Sequence, residues 1–380
     1  MGGSIRLLFA SRVFKRVCLL LGISFLLGSL LQGLNNASAY SVQAEGDPVA
    51  ELIRTSELHT GAYSEYKNAV ADSDGNTYVV GFIGDRRLEF DSGVTVTAGY
   101  ESDCNALIVK YDSTGKVLWA NSTVGGAAVG SFFYGVGLDP SGNPIAVGEA
   151  YLNTDNDKPF GFGNSVTLSL PVGGDGIMVK YDANSGKAQW AQSMKANAQS
   201  KMVWAKGVDI DSSGNIYVGI GASTNVSIDF GNSVTLSDYS GGAFVQYNSE
   251  GVAQWVVEVG DVQLNAIKVD ASNNIYVAGD AVFAKYNSSG TAQWTKNYAT
   301  TVRVESIATD SLGNIYVAGH TEDTFSHDLG NGVTVAGAYH SPTNGPDYNV
   351  LLAKYSSSGV AQWAKSTATA PNYSKFLGVS

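Results

Sequence analysis

The sequence predicts an all-β protein built from five copies of one four-stranded antiparallel unit. A two-part phrase recurs five times, each copy contains only short β-branched and aromatic runs, and turn residues separate those runs. No apolar pattern with a helical period competes with them. The first half of the phrase, Asp-x-x-Gly-Asn-x-Tyr-Val-x-Gly, begins with small departures at Asp72, Asp139, Asp211, Asp270 and Asp310. The second half, Lys-Tyr-Asn-x-x-Gly-x-x-x-Trp, ends at Trp119, Trp190, Trp255, Trp294 and Trp363.

The fourth copy is the shortest and shows the minimum set of strands, which we name a, b, c and d. They are predicted at residues 266–270, 274–279, 281–286 and 291–296. Asx, Ser and Gly residues between them are typical of hairpin turns. One such sheet has two apolar faces and cannot shelter both, so the copies must stack around an axis. This arrangement is a β-propeller, in which each copy forms one blade.

Small residues in strand b and the Trp of strand d fit a wedge that widens outward, so we expect the five Trp residues to pack between blades. Four copies also carry an insert between strands b and c, and the fourth copy lacks it. The inserts share a second phrase, at residues 90–96, 162–168, 230–236 and 329–335. Its Asn-Gly or Asn-Ser pair predicts a hairpin turn, and so an extra β-ribbon on each long blade.

Antiparallel alternation predicts two different ends for the blades. The b–c inserts and the links from d to the next strand a must emerge together, at what we call the insert face. The a–b and c–d turns emerge at the opposite end, the turn face. Variable loops on a rigid scaffold are where binding usually resides, so the insert face is the predicted functional face.

Residues 1–39 have the layout of a secretory signal peptide. Basic residues lie between Arg6 and Arg16, an apolar run covers 17–31, and Ala37-Ser38-Ala39 provides a small-residue cleavage site. An uncleaved membrane anchor is the alternative interpretation. Export predicts a secreted or cell-surface protein, with a short linker at 40–48 and the propeller domain at 49–380. No membrane insertion is expected once the leader is removed.

The two ends of the propeller region also match parts of the repeat. Residues 49–55 line up with the d strand at 360–366, and residues 373–380 line up with the start of a strand a. The chain therefore contains five complete blades with partial strands at both ends. This favours a C-terminally truncated ring of six or more blades. A five-bladed ring with ragged ends is the alternative.

The fourth copy, from Val269 to Gly279 and then Lys285 to Trp294, resembles the bacterial SBBP β-propeller repeat. The resemblance extends over roughly residues 49–380, and the a–b phrase is also similar to NHL repeats. It implies a propeller of exported or surface proteins and carries over no catalytic residue. Residues 111–119 more weakly resemble the docking motif of quinoprotein propellers, but the vicinal cysteines of many quinone-cofactor enzymes are missing.

Composition limits the classes of partner. The formal net charge is −11, and removal of the basic leader leaves 19 Lys and Arg against 34 Asp and Glu. An acidic surface repels phosphate backbones, so nucleic acid is not an expected partner. Cys104 is the only cysteine after the leader, so the exported chain would contain no internal disulfide.

Two segments space oxygen ligands as calcium requires. The first is the a–b turn at 72–76, for which an Asx hairpin turn is the alternative interpretation. The second lies in the insert of blade 2, where a solvated loop is the alternative. Its candidate ligands are Asn153, Asp155 and Asp157. No cofactor is otherwise expected, and calcium stays an open alternative.

Other candidate chemistry is sparse. His320, His327 and His340 lie in or beside the last insert with Glu322 and Asp323, without tight metal-ligand spacing, so we expect an exposed polar loop. The sequence contains no G-x-S-x-G motif, phosphate-binding loop or Cys–His arrangement, and the catalytic residues are therefore unknown.

The leading hypothesis is an exported, non-enzymatic binding or scaffold protein whose insert face binds a protein or a glycan. Its candidate ligand contacts are the insert tyrosines Tyr100, Tyr151, Tyr239 and Tyr339. The alternative is a propeller enzyme, a glycosidase or a lyase, with carboxylates at the mouth of the central channel. An enzyme needs converging acids with perturbed pKa values, whereas a binding module needs exposed aromatic and neutral polar groups. A structural spacer within a larger surface protein is a third interpretation.

Overall fold

The computed structural model of the chain describes residues 53–55, 64–84, 87–99, 104–124, 130–152, 159–170, 173–197, 201–338 and 347–366. Within these ranges the regular structure is entirely β-strand. They contain no helix with the length and apolar character needed to cross a membrane. The predicted leader and linker lie outside the described residues.

Five four-stranded antiparallel units follow one another along the chain, each with its strands in the order a-b-c-d. A pairing between strand d of blade 2 and strand b of blade 3 joins these two blades into one eight-stranded sheet. Strands a to d of blade 1 are Glu65–Ala71, Thr77–Ile83, Asn105–Tyr111 and Val117–Ser122. Those of blade 2 are Gly130–Leu138, Pro144–Leu152, Gly173–Tyr181 and Ala188–Ala196. Those of blade 3 are Val203–Ile210, Ile216–Asp229, Thr235–Tyr247 and Ala253–Gly260.

Blades 4 and 5 complete the set. Strands a to d of blade 4 are Leu264–Val269, Ile275–Gly279, Val282–Tyr286 and Ala292–Asn297. Those of blade 5 are Val302–Thr309, Ile315–Thr321, Asn349–Tyr355 and Ala361–Lys365. The predicted all-β fold of four-stranded propeller blades is confirmed.

The predicted extra ribbons are present in blades 1, 2, 3 and 5. In blade 3, strands b and c simply continue past the sheet to form the ribbon, whereas blade 4 turns directly from Gly279 to Val282. Each ribbon takes the number of its blade, and ribbon 3 consists of the extended ends of strands b and c just described. Ribbons 1, 2 and 5 pair Arg87–Phe90 with Thr95–Thr97, Phe160–Gly161 with Thr167–Leu168, and His327–Asp328 with Thr334–Val335.

Ribbons also pair with the end of strand d in the preceding blade. Lys195 lies opposite Asp229 in an antiparallel pair, and Val124 exchanges two backbone hydrogen bonds with Gly161. The strand Ile53–Thr55 takes the corresponding place on ribbon 1, with Arg54 opposite Glu89. This agrees with the prediction that residues 49–55 end a d strand. It also confirms that the inserts and the d–a links share one face.

The ribbon turns of blades 2, 3 and 5 are hydrogen-bonded to strand d of their own blade. The Asn side chain of the turn donates to the carbonyl of the residue that begins strand d. The pairs are Asn164 with Ala188 at 2.9 Å, Asn232 with Ala253 at 2.7 Å, and Asn331 with Ala361 at 3.2 Å. The aromatic residues of the shared phrase, such as Phe162 and Phe230, are buried. The ribbons therefore fill the gaps between successive d strands at the perimeter.

Four apolar clusters occupy the four junctions between successive blades. At every junction a glycine of the c–d turn lies against the Trp of the preceding blade. A Cβ atom on it would approach the indole to between 2.6 and 3.2 Å, closer than most Cβ contacts in proteins. These glycines also have φ between 68° and 81°, a region that disfavours other residues. The pairs are Gly186 with Trp119, Gly251 with Trp190, Gly290 with Trp255, and Gly359 with Trp294. The predicted inter-blade role of these four Trp residues is confirmed.

The a–b turns are Asx turns in all five blades. At Asp72, Oδ1 accepts the backbone N–H groups of Asp74 and Asn76, both at 2.9 Å. Oδ2 accepts the side-chain amide of Asn76 at 2.8 Å. These internal hydrogen bonds explain the repeated Asp and Asn, and the Asx-turn interpretation is confirmed.

We expect Trp294→Ala to lower the free energy of unfolding by about 3 kcal/mol, because it removes a large ring from a blade junction. The indole packs edge-on against Phe283 with ring centroids 4.9 Å apart, and Gly359 lies on its other side. Urea denaturation measures the change. The control is Leu312→Ala, at a side chain that is 83% exposed, which should change stability by less than about 0.5 kcal/mol. Equal effects of the two substitutions would contradict the packing role.

Candidate functional site at the channel rim

The a strands are the innermost strands of the blades. A Cβ atom on Gly135 would lie 2.6 Å from the carbonyl oxygen of Lys206 in the next strand a. Likewise, a Cβ atom on Gly207 would lie 2.8 Å from the backbone nitrogen of Ile267. Backbones this close show that successive a strands converge, while the d strands and ribbons form the perimeter. Side chains near the start of strand a therefore lie at the inner edge of the blades on the insert face, which we call the channel rim.

Every strand a contains a β-bulge at the same place, five residues before its turn Asp. A bulge leaves one residue out of the ladder and changes the direction of its side chain. The residue at the bulge is polar in four blades and is the amphipathic Tyr134 in blade 2, although its neighbours are mostly apolar. The five residues are Lys67, Tyr134, Lys206, Asn265 and Glu305.

The bulge also explains the glycine that ends the Tyr-Val-x-Gly phrase. That glycine lies in strand b beside the bulge, where a Cβ atom would overlap a carbonyl oxygen of strand a. This holds for Gly81, Gly148, Gly279 and Gly319. Blade 3 is the exception and has Ile220 at this position. The repeated glycine therefore indicates, in the sequence, the bulge that shapes the channel rim.

A polar network crosses the rim from blade 3 to blade 5. Lys206 Nζ donates to Asn265 Oδ1 at 2.9 Å, and Asn265 Nδ2 donates to Asp280 Oδ1 at 3.2 Å. Asp280 in turn forms an ion pair with Arg303. Side chains from three blades are therefore held in fixed positions relative to one another.

Blade 5 contributes the other end of this network. Arg303 Nε donates to Glu322 Oε1 at 2.7 Å, and hydrogen bonding to Glu322 raises the pKa of Arg303 above its already high value. His320 is buried, with its two ring nitrogens 3.7 Å from Glu305 and 3.8 Å from Glu322. Arg303 therefore compensates the charges of both Asp280 and Glu322.

A row of aromatic rings lies on the other side of the rim, in blade 2. The rings of Phe132 and Tyr134 are 6.0 Å apart and nearly parallel, at 2°, and those of Phe132 and Tyr151 are 6.2 Å apart at 19°. All three side chains are half-buried. Buried Phe82 of blade 1 supports the row, with its ring edge-on to Phe132 at 4.9 Å.

Glu149 lies beside this row. Its side chain is buried, and the Tyr134 hydroxyl donates to its Oε1 at 2.5 Å. Burial raises the pKa of Glu149, and the hydrogen bond from Tyr134 opposes that effect. Burial and the neighbouring Glu149 charge raise the pKa of Tyr134 as well, so the phenol stays a hydrogen-bond donor at neutral pH.

A second buried carboxyl group, Asp175, lies at the start of strand c in blade 2. It is 1% exposed, and its Oδ1 accepts the backbone N–H of Ala196 at 3.0 Å. Burial raises its pKa to about 7. The corresponding residues of blades 1 and 5 are Asn105 and Asn349, both buried. Near Asp175 the perimeter has an open depression of about 540 Å³, lined by Ser169, Leu170, Lys195, Ala196, Asn197 and Asp229.

Of the tyrosines predicted as ligand contacts, Tyr151 belongs to the aromatic row. Tyr239 does not lie on the surface: it is buried in ribbon 3, and its hydroxyl donates to the carbonyl of Gly242. It packs there because every second residue of a ribbon strand faces the core. Tyr100 and Tyr339 lie outside the described residues, as do the candidate calcium ligands Asn153, Asp155 and Asp157.

The expectation of an exposed polar loop for the histidines is wrong for the two that are described. His320 is buried in strand b of blade 5, and His327 is buried with its Nε2 2.7 Å from Asp323. His340 lies outside the described ranges. In the part of the chain that the structure describes, no group of three or more His, Cys, Asp or Glu residues has the arrangement of a metal site.

Sequence reasoning missed Phe132, Tyr134 and Glu149. One signal was available, because a polar residue recurs five positions before each turn Asp, except for the amphipathic Tyr134. The sequence does not show that these residues line the rim, because their direction is set by a bulge that breaks the simple alternation of inward and outward residues.

Residues 297–324, from the end of strand d in blade 4 to strand b in blade 5 and beyond, match the family model of the SBBP β-propeller repeat. The resemblance to SBBP repeats is thus confirmed. Among solved structures, the chain is similar to a protein of unknown function from Bacteroides caccae, with 12% identity, a TM-score of 0.42, and coverage of 83% of this chain and 86% of that one. It is also similar to the C-terminal WD40 domain of Sif2, with 8% identity, a TM-score of 0.40, and coverage of 83% and 91%. No curated protein matches the chain.

Asp175→Asn should stabilise the protein at neutral and alkaline pH. The folded-state pKa of about 7 lies above the unfolded value near 3.8, so Asp175 stabilises the fold when protonated, and this contribution is lost as pH rises through 7. At pH 8 we expect the variant to gain on the order of 3 kcal/mol, with little difference at pH 4. Urea unfolding from pH 4 to 8 measures both. An unchanged pH dependence in the variant would contradict the assignment.

Proposed function

We propose that this protein is an exported, non-enzymatic propeller that binds its ligand on the insert face, at the channel rim of blade 2. One observation supports the proposal above others: Phe132, Tyr134 and Tyr151 form a row of three partly exposed, nearly parallel rings on rigid strands. Aromatic rings fixed in this way offer a large contact area at little entropic cost.

A glycan fits this surface better than a protein does. Sugar rings stack their C–H faces on aromatic side chains, and the hydroxyl groups need a few polar partners at the edge. Lys67 Nζ lies 5.4 Å from the centroid of the Phe82 ring, and Lys206 is the first residue of the polar network beyond Glu149. Apolar surface with a few fixed polar groups is the usual composition of a small-ligand site. The acidic net charge of the chain favours a neutral glycan over a polyanionic one.

An enzyme is the second candidate, and one observation favours it. Glu149 is a buried carboxyl group whose pKa is raised by burial, as in general acids of glycoside cleavage. Its contact with Tyr134 and the aromatic row would place a sugar near it. Among the other described rim acids, Asp280 and Glu322 are paired with Arg303, and Glu305 lies 3.7 Å from a ring nitrogen of His320 in blade 5.

Tyr151→Ala should weaken glycan binding at least about tenfold, equivalent to about 1.4 kcal/mol, because it shortens the aromatic row. A glycan array identifies the bound class, and titration calorimetry on the best glycan measures the affinity. The matched control is Phe325→Ala, which removes an aromatic side chain that is 73% exposed in the insert of blade 5. Glycan binding that is equally strong in Tyr151→Ala, or absent from the wild type, would contradict the proposal.

The enzymatic alternative has a separate test with Glu149→Gln. Wild-type protein is incubated with a panel of neutral and acidic polysaccharides, and released or unsaturated ends are quantified over time. The binding proposal expects no product from either protein. Product release by the wild type that falls at least a hundredfold in Glu149→Gln would replace it with a hydrolase or lyase.

A further inference from the structure

The junction between blades 3 and 4 differs from its neighbours at the perimeter. Ribbons 2 and 3 pair with the preceding d strands at Val124 and Lys195, and ribbon 5 is fastened to Ala361. Blade 4 has no insert between strands b and c, so it supplies no ribbon to this junction. We call the place where that ribbon would lie the open junction, and define it by Val259 of blade 3 and Ala292 of blade 4.

Ala292 shows the consequence directly. It begins strand d of blade 4, two residues before Trp294, and it is exposed. The four residues at this position in the other blades are all buried, at 1% exposure: Val117, Ala188, Ala253 and Ala361. Three of them receive the Asn side chain of a ribbon turn on their carbonyl oxygen. The missing ribbon therefore uncovers a position that the rest of the fold keeps closed.

The end of strand d in blade 3 is uncovered in the same way. Val259 lies four residues after Trp255 and is half-buried. Val259 lies at a β-bulge, because Ala243 pairs with Glu258 and Gly242 pairs with Gly260. Thr123 and Met194, four residues after the Trp of blades 1 and 2, lie in or directly after strands without this bulge, beside ribbons 2 and 3, and both are buried. Val257 and Val262 flank Val259 and are also only partly buried. An apolar strip thus remains at the open junction.

We propose that the open junction binds an extended, ribbon-forming segment of a partner polypeptide, which pairs with the end of strand d in blade 3 and covers Ala292. The chain itself shows which chemistry fits, since ribbon 3 fills the equivalent place between blades 2 and 3. There, Ile228 and Phe230 are buried, and Asn232 donates to Ala253 at 2.7 Å. Addition of a strand to an exposed edge is a common mode of peptide recognition.

The charge at the open junction further restricts which partner sequences can bind there. Glu258 and Asp261 are exposed on either side of Val259. In ribbon 3, oppositely charged residues face each other across the pair, with Lys195 opposite Asp229. Asp261 takes the place of Lys195, because it follows the residue paired with Gly242 as Lys195 follows the residue paired with Gly176. The partner segment should therefore alternate apolar residues, carry Asn or Asp in its turn, and present Lys or Arg toward Asp261.

The first test uses a synthetic peptide with the sequence of residues 226–239, labelled with a fluorophore and with Lys in place of Asp229. Fluorescence anisotropy should show saturable binding to the full chain. The substitution Ala292→Arg should abolish it, and folding should survive because Ala292 is exposed. Leu312→Arg, on the turn face, should bind as the wild type does, and a peptide with Asp in place of Phe230 should not bind.

The second test is intramolecular and does not depend on the affinity of a free peptide. Residues 223–240 are duplicated between Asp280 and Ala281, which gives blade 4 a ribbon. Amide exchange at Val259 and Ala292 should slow at least tenfold, while exchange at Leu312 should not change. Slowed exchange supports the proposal even where the peptide is too weak to detect.

Two results would overturn the proposal. One is an absence of both peptide binding and slowed exchange, which would show that the open junction does not accept a ribbon. The other is that light scattering detects a dimer of the wild-type chain and that Ala292→Arg dissociates this dimer. That result would assign the open junction to a second copy of this chain rather than to a different partner.

Discussion

The burial of each blade's apolar faces against its neighbours is the interaction on which the rest of this structure depends. Four apolar clusters hold the blades together, and the Trp of strand d meets a glycine of the next blade at every junction. Neither element works alone, because the indole needs a surface without a Cβ atom. The two halves of the repeated phrase are therefore two sides of one contact, made between different copies of the unit.

The same packing creates a rigid frame with two regions that are free to vary. At the centre, the bulges of strand a set polar side chains at one level, and they differ from blade to blade: Lys67, Tyr134, Lys206, Asn265 and Glu305. Their backbone positions repeat, whereas their chemistry does not. This combination lets one side of the rim carry aromatic rings and the other a charged network, without any change in the fold.

At the perimeter, in contrast to the rim, both the position and the chemistry of the residues repeat. The ribbons repeat both in sequence and in position, and their buried Phe and Val residues make them part of the core rather than free binding loops. Variation there takes the form of an omission in blade 4. A single absent ribbon changes the exposure of Ala292 and Val259 while the sheet beneath keeps its pairing. Function on this scaffold therefore comes from departures from the repeat, at the rim and at the open junction.

The sequence alone determined the blades, their strand order, the Asx turns, the ribbons and the inter-blade role of Trp, because these rest on local turn chemistry and on patterns that recur. Only the tertiary structure decided which residues line the rim, that Tyr239 is buried while Tyr151 joins Phe132, and that His320 lies inside strand b. Phe132 and Tyr151 lie in consecutive strands of blade 2, and the register of that strand pair brings their rings together. A bulge shifts the alternation of faces by one residue, so inward and outward positions cannot be counted along the strand.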